Sequence, residues 1–100
     1  MTQPVRVGIY SGKATDRGER ARLATVLAEA EDLGVRKVGT RDLESIDVLI
    51  VAGPSATKLA KGLGADGCNA IDAFVRRGGG YVGLGGGAYL ATQGYNGPTR

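Results

Sequence analysis

The sequence predicts one α/β domain spanning residues 1–100, built on a doubly wound, mostly parallel sheet of about four short strands. Three observations carry this. Apolar, strand-like runs are separated by stretches with helical spacing. The most apolar run, Ile46-Asp47-Val48-Leu49-Ile50-Val51-Ala52, shows no alternation after Asp47, as expected of a parallel strand covered on both faces. Glycines stand where the periodicity changes from strand to helix or back, above all in "GGGYVGLGGGAYLA", residues 78–91.

The elements follow in order. Met1-Thr2-Gln3-Pro4 is a short start before a strand, and Val5-Arg6-Val7-Gly8-Ile9-Tyr10 alternates and is β-branched. Ser11-Gly12-Lys13 breaks it. Asp16 and Glu19 have capping-box spacing, and Leu23, Val26, Leu27, Ala30 and Leu33 then recur at helical intervals. Gly34 is placed to end that helix in a left-handed conformation. Val35 to Thr40 is a weaker strand, Arg41 to Ser45 a polar turn, and Ile46 to Ala52 the buried strand, stopped by Gly53-Pro54. Ser55 caps a short helix through Lys61, after which Gly62 and Gly64 loosen the chain. Asn69 to Arg77 is a second amphipathic helix, with Ile71, Phe74 and Val75 on one face, Arg76 and Arg77 at its C-terminal end and Gly78 beyond. Tyr81 to Leu84 is the last strand, and a final helix starts at Gly86 or Gly87. The order is β-α-β-β-(α)-α-β-α, that of a three-layer, flavodoxin-like domain.

Composition narrows the function. A chain of 100 residues with a formal net charge of +3 has Lys and Arg interleaved with Asp and Glu rather than in a basic block. No nucleic-acid partner is expected, because phosphate backbones select clustered cations. No apolar run approaches the roughly 20 residues of a membrane span, so no membrane partner is expected either. The single cysteine, Cys68, excludes an intrachain disulfide and fits a reducing, cytoplasmic setting. Histidine is absent, which removes the commonest general base and the commonest zinc ligand. No cofactor and no metal are expected. Ser11-Gly12-Lys13-Ala14-Thr15 lacks the first glycine and the residue order of a phosphate loop and is taken as a surface turn. Asp47 and Asp66 show no carboxylate partner at a fixed spacing. Tyr81 and Tyr89 are expected to pack at the sheet end; Tyr10 and Tyr95 complete the tyrosines.

The joint after the last strand is the informative stretch. A strand entering a helix through small residues, G-x-Nuc-x-G, is the layout of a nucleophile elbow. Gly83-Leu84-Gly85-Gly86-Gly87 fits that frame, with Gly85 in the nucleophile's place. Glycine has no side chain with which to attack.

On these residues the chain resembles class I glutamine amidotransferase-like domains, and more narrowly the biotin-protein ligase N-terminal-like family. Members of that family typically read G-G-G-Y-x-G-[IL]-C-A-G-A-Y, where this chain has Gly78-Gly79-Gly80-Tyr81-Val82-Gly83-Leu84-Gly85-Gly86-Gly87-Ala88-Tyr89. The lead-in Asn69-Ala70-Ile71-Asp72-Ala73-Phe74-Val75 and the opening Val5–Gly12 strand are similar too. The resemblance implies a cysteine where Gly85 stands, a Pro-Gly-Gly backbone donor where the chain has Ala52-Gly53-Pro54, and a catalytic His and Glu in a region further on. Pro54 has no N–H to donate, whereas Gly53 has one.

The resemblance therefore implies a catalytically inactive domain that acts as a binding or assembly module. Its catalytic set is empty, with Gly85 the vacant nucleophile position. Any ligand, a small anion included, is expected in the crevice at the strand C-termini formed by Ser11, Gly12, Gly53, Pro54, Gly85, Gly86 and Gly87. Two readings of Gly85–Gly87 stand side by side: a strain-free close turn, or a residual anion site made by the Gly86 and Gly87 N–H groups. The alternative function is a glutamine- or amide-hydrolysing subunit whose nucleophile at position 85 was replaced and whose His-containing half is missing or supplied by a partner. Cys68, placed at or before the start of the Asn69 helix, has no histidine to activate it and is taken as a packing or surface thiol. The family domain is about twice as long, so the four-strand sheet is truncated relative to the amidotransferase-like fold. A homodimer or a partner chain is expected to cover an exposed sheet edge; the other explanation is that the chain is a fragment.

Overall fold

The computed structural model describes residues 4–92. The start at Met1–Gln3 and Tyr95 lie outside the described residues. The elements are β1 (Val5–Tyr10), α1 (Arg17–Ala28), β2 (Leu33–Val38), a 3₁₀ turn (Thr40–Ser45), β3 (Val48–Gly53), α2 (Ala56–Arg76), β4 (Gly80–Gly85) and α3 (Gly86–Thr92). The strands form one parallel sheet in the order β2-β1-β3-β4. α1 packs Leu23, Ala24 and Leu27 on one face, over Val7, Ile9 and Ile50. α2, α3 and the 3₁₀ turn pack the other face, where Leu59, Ile71, Phe74 and Leu90 meet Leu49 and Val51. The molecule is thus the three-layer, doubly wound α/β domain that the alternation of elements predicts.

Local signals account for several boundaries. Asp16 caps α1 by accepting the Glu19 N–H at 3.1 Å, and Ser55 caps α2 by accepting the Lys58 N–H at 3.2 Å. Five of the six β3 residues are buried, as the unbroken apolar run requires. α2 closes on a two-bond C-terminal motif, Gly79 N–H to Phe74 O at 2.9 Å and Gly78 N–H to Val75 O at 3.0 Å.

Four boundaries differ from the sequence reading. α1 ends at Ala28 rather than near Leu33, because Leu33 and Gly34 belong to β2 and pair with Val5 and Arg6. Val26, at a helical apolar position, is consequently 66% exposed. Arg41–Ser45 is a 3₁₀ turn, not a loose one: the Asp42 carboxylate accepts the Gly39 N–H at 2.9 Å and Leu43 is buried. Ile46 precedes β3 yet is buried beneath that turn. The two helices expected on either side of residues 62–64 form α2, broken only at Gly64 (φ 71°, ψ 176°), so the second stretch begins well before Asn69.

At the opposite end of the sheet from the strand C-termini, Arg6 and Asp47 tie β1 to β3. Arg6 donates its backbone N–H to Asp47 Oδ2 at 2.8 Å and Nη2 to Oδ1 at 3.0 Å. The Arg6 side-chain hydrogen bonds hold the Asp47 carboxyl below its usual range, and Asp47 in turn raises Arg6. This exposed pair marks Asp47 as a strand-register residue remote from the strand C-termini.

Candidate functional site

The chain leaves β1 by α1 on one face and β3 by α2 on the other, so β1 and β3 flank the point where the winding reverses. The loops after β1 and β3 part there. β4 lies beside β3 with Gly53 paired to Gly85, which brings the two glycines to the same level of the sheet. A crevice of about 230 Å³ opens at that level, lined by Asp16, Glu19, Gly53, Pro54, Leu84 and Gly85.

Gly85 is the last residue of β4 and Gly86 the first of α3. Its φ of +59° is left-handed, the conformation that the central residue of an elbow adopts. A Cβ at this position would stand 2.9 Å from the Gly53 carbonyl oxygen. The flanking glycines have a separate reason. The turn is so tight that a Cβ on Gly83 would lie 2.5 Å from the Gly87 carbonyl carbon, and one on Gly87 would overlap the Val51 carbonyl oxygen. α3 therefore rests directly on β4 and β3, and Tyr81 fastens the contact by donating its hydroxyl to Gly87 O at 2.7 Å.

Of the expected crevice residues, the structure brings Gly53, Pro54 and Gly85 together. Gly86 and Gly87 are buried, with Gly86 against the Ser55–Ala56 backbone. Ser11 turns toward β2, donating its N–H and its hydroxyl to Val38 O at 3.1 and 3.4 Å. Gly12 lies against the Tyr10 ring. Neither lines the crevice. Asp16 and Glu19, noted in the sequence only as caps, do line it. The signal for this was present: a cap directly after the first strand of a parallel sheet must stand at the C-terminal ends of the strands. Their carboxylates make a small anion in this crevice electrostatically unfavourable. Between Ser11 and Asp16, Ala14 adopts φ 69°, a left-handed conformation that costs a residue with a Cβ on the order of 1 kcal/mol. Its carbonyl oxygen lies over Gly53, where a Cβ would meet it at 2.5 Å.

The remaining candidates are structural. Cys68 lies in α2, four residues beyond the break at Gly64, and is 5% exposed. Burial pushes its thiol above the ordinary range, the opposite of what a nucleophile needs. Burial, and then the nearby Cys68, raise Tyr10. Tyr81 packs against the core as expected, but Tyr89 is 61% exposed, because α3 turns Leu90 inward instead. Among the described residues no group of three or more His, Cys, Asp or Glu is placed to hold a metal ion, and no helix is long and apolar enough to cross a membrane.

Strand order, layer assignment and the β4–α3 corner together define a three-layer, flavodoxin-like α/β fold. A solved structure from Thermoplasma acidophilum, described as "a putative gmp synthase subunit a protein", matches with a TM-score of 0.60 at 11% identity, over 95% of this chain and 47% of that one. The likeness is one of fold, and the chain spans about half the length of that neighbour. No protein-family model and no curated protein matches the sequence.

Proposed function

We propose that this chain is a catalytically inactive amidotransferase-like domain, of the biotin-protein ligase N-terminal-like kind, acting as a binding or assembly module. One observation carries the reading: the corner that presents a nucleophile in such folds is occupied by Gly85, in the left-handed conformation and without a side chain. The residues from 66 to 91 support the narrower kinship, and the absence of any histidine from the sequence supports inertness. The crevice of Gly53, Pro54 and Gly85 remains the position where a ligand of such a module would sit.

Hydrolysis of glutamine and of simple esters, measured for the chain and for Gly85→Cys, tests this. Neither protein is expected to turn over. The variant is expected to lose about 1–2 kcal/mol of stability, since a Cβ must enter a left-handed residue beside the Gly53 carbonyl. Turnover by the chain itself overturns the inert reading. Turnover by the cysteine form alone favours the alternative, an amide-hydrolysing subunit whose nucleophile was replaced.

Assembly is proposed through β4, with a second copy as the partner. The outer edge of β2 carries Arg36 and Lys37, charges that discourage strand addition. β4, Gly80-Tyr81-Val82-Gly83-Leu84-Gly85, has no charge and no proline, and among the described residues it pairs only with β3. Val82 is 44% exposed beside that edge. Sedimentation velocity across a concentration series is expected to show a dimer that Val82→Lys converts to monomer. A chain that stays monomeric throughout refutes the edge pairing.

A further inference from the structure

A hollow larger than the glycine crevice stands apart from it. It lies between α1 and β2, holds about 520 Å³, and is lined by Arg17, Arg20, Arg36 and Lys37; strand alternation turns the Lys37 side chain to the α1 face with Ile9 and leaves Arg36 at the strand's backbone side. They come from two sequence segments, so no basic block announces them in the chain. Arg17 and Arg20 are three residues apart on α1 and share a face. Arg36 and Lys37 lie toward the C-terminal end of β2, opposite Gly8 and Ile9 of β1. Small residues, Ala21 and Ala24, leave the space open, and Ile9 and Val35 supply apolar walls.

No carboxylate lines this hollow. Three other arginines, Arg6, Arg22 and Arg76, each pair with an acid at 2.8–3.0 Å, whereas none of these four forms an ion pair among the described residues. Arg20 Nε is the decisive atom: it is removed from solvent and has no hydrogen-bond partner among the described residues. A buried donor without an acceptor is costly, and the unpaired like charges of Arg17, Arg20 and Lys37 around one hollow repel one another. Both costs disappear when an anion enters.

The geometry points to a binding site for a small organic phosphate, a di- or triphosphate carried on an apolar or aromatic body, between α1 and β2. The volume falls in the usual range for small-molecule pockets. Three cations, Arg17, Arg20 and Lys37, suit a chain of linked phosphates, and the walls from Ile9, Ala24 and Val35 suit a body that the phosphates bring with them. The site is separate from the Gly85 crevice and does not depend on the function proposed for it.

The test uses ADP as the probe, with adenosine and pyrophosphate as its two halves and a single-stranded oligodeoxythymidylate as a polymer control. Titration at low salt, followed by calorimetry and amide chemical shifts, is expected to give ADP a Kd below about 1 mM, with shifts at Ala21, Ala24 and Val35. Adenosine should not bind, and pyrophosphate should bind more weakly than ADP. Arg20→Gln and Lys37→Gln should each weaken ADP at least about tenfold. Arg17 and Lys37 are exposed, so Arg17→Gln and Lys37→Gln keep the test intact even if Arg20→Gln does not fold. No ADP binding at millimolar concentration, unchanged affinity in the folded variants, or shifts confined to Gly53 and Gly85 each overturn the proposal. Oligodeoxythymidylate binding tighter than ADP overturns it in favour of a polymer surface.

Discussion

Gly83→Ala is expected to cost about 3 kcal/mol or more, although it adds a single methyl group. Gly83 sits where β4 bends back under α3. A Cβ there would stand 2.5 Å from both the carbonyl carbon and the carbonyl oxygen of Gly87, and 2.6 Å from the Ala88 nitrogen. These are backbone atoms, so no rotamer change clears the space. The helix must lift away from the strand, and that lift strains the Tyr81–Gly87 hydrogen bond. A domain of this size has on the order of 5–15 kcal/mol in total, so the loss is a large fraction of it. Chemical denaturation of the variant checks the point. A loss below about 1 kcal/mol would mean that α3 is free to shift and that the corner is not tightly built.

Leu90→Ala is the second large effect, with an expected loss of about 2–5 kcal/mol. Leu90 is fully buried, in the same cluster as Leu59, Ile71 and Phe74. α3 has seven residues, too few to persist as an isolated helix, and depends on this side chain to hold it to the sheet. Hydrogen exchange in Leu90→Ala should therefore accelerate first in Gly86–Thr92, with β1 and β3 protected longest. Tyr89→Ala, one residue away but exposed, should change stability by no more than about 0.5 kcal/mol. Equal losses at the two positions would show that α3 is seated on some other contact. Together the two large effects make the corner at Gly85 a rigid feature of the sheet, held from both sides.

Much of the fold was legible because its signals are local. The unbroken run from Val48 to Ala52 specifies a two-sided buried strand wherever it stands. Asp16 and Ser55 are helix caps that act within three residues. Gly78 and Gly79 end α2 through bonds that reach back no further than Phe74. Gly85 was legible for the same reason, since a strand, a left-handed residue and a helix in succession define the corner without help from the rest of the chain.

The misread boundaries were decided at a distance. Residues 30–33 have helical spacing, but Leu33 lies in β2 because Val5, 28 positions earlier, offers it a strand partner. The 3₁₀ turn at Thr40–Ser45 is polar in sequence, and only its place over the sheet buries Leu43 and Ile46. The sites divide along the same line. The sequence by itself determined the alternation of elements, the glycine corner and the absence of any histidine, because composition and short-range periodicity contain them. Tertiary structure alone decided that Asp16 and Glu19 face the Gly85 crevice, and that Arg17, Arg20, Arg36 and Lys37 surround one hollow. Electrostatic character depends on which charges come within a few ångströms of each other, and that distance is set by strand order and helix placement rather than by separation along the chain.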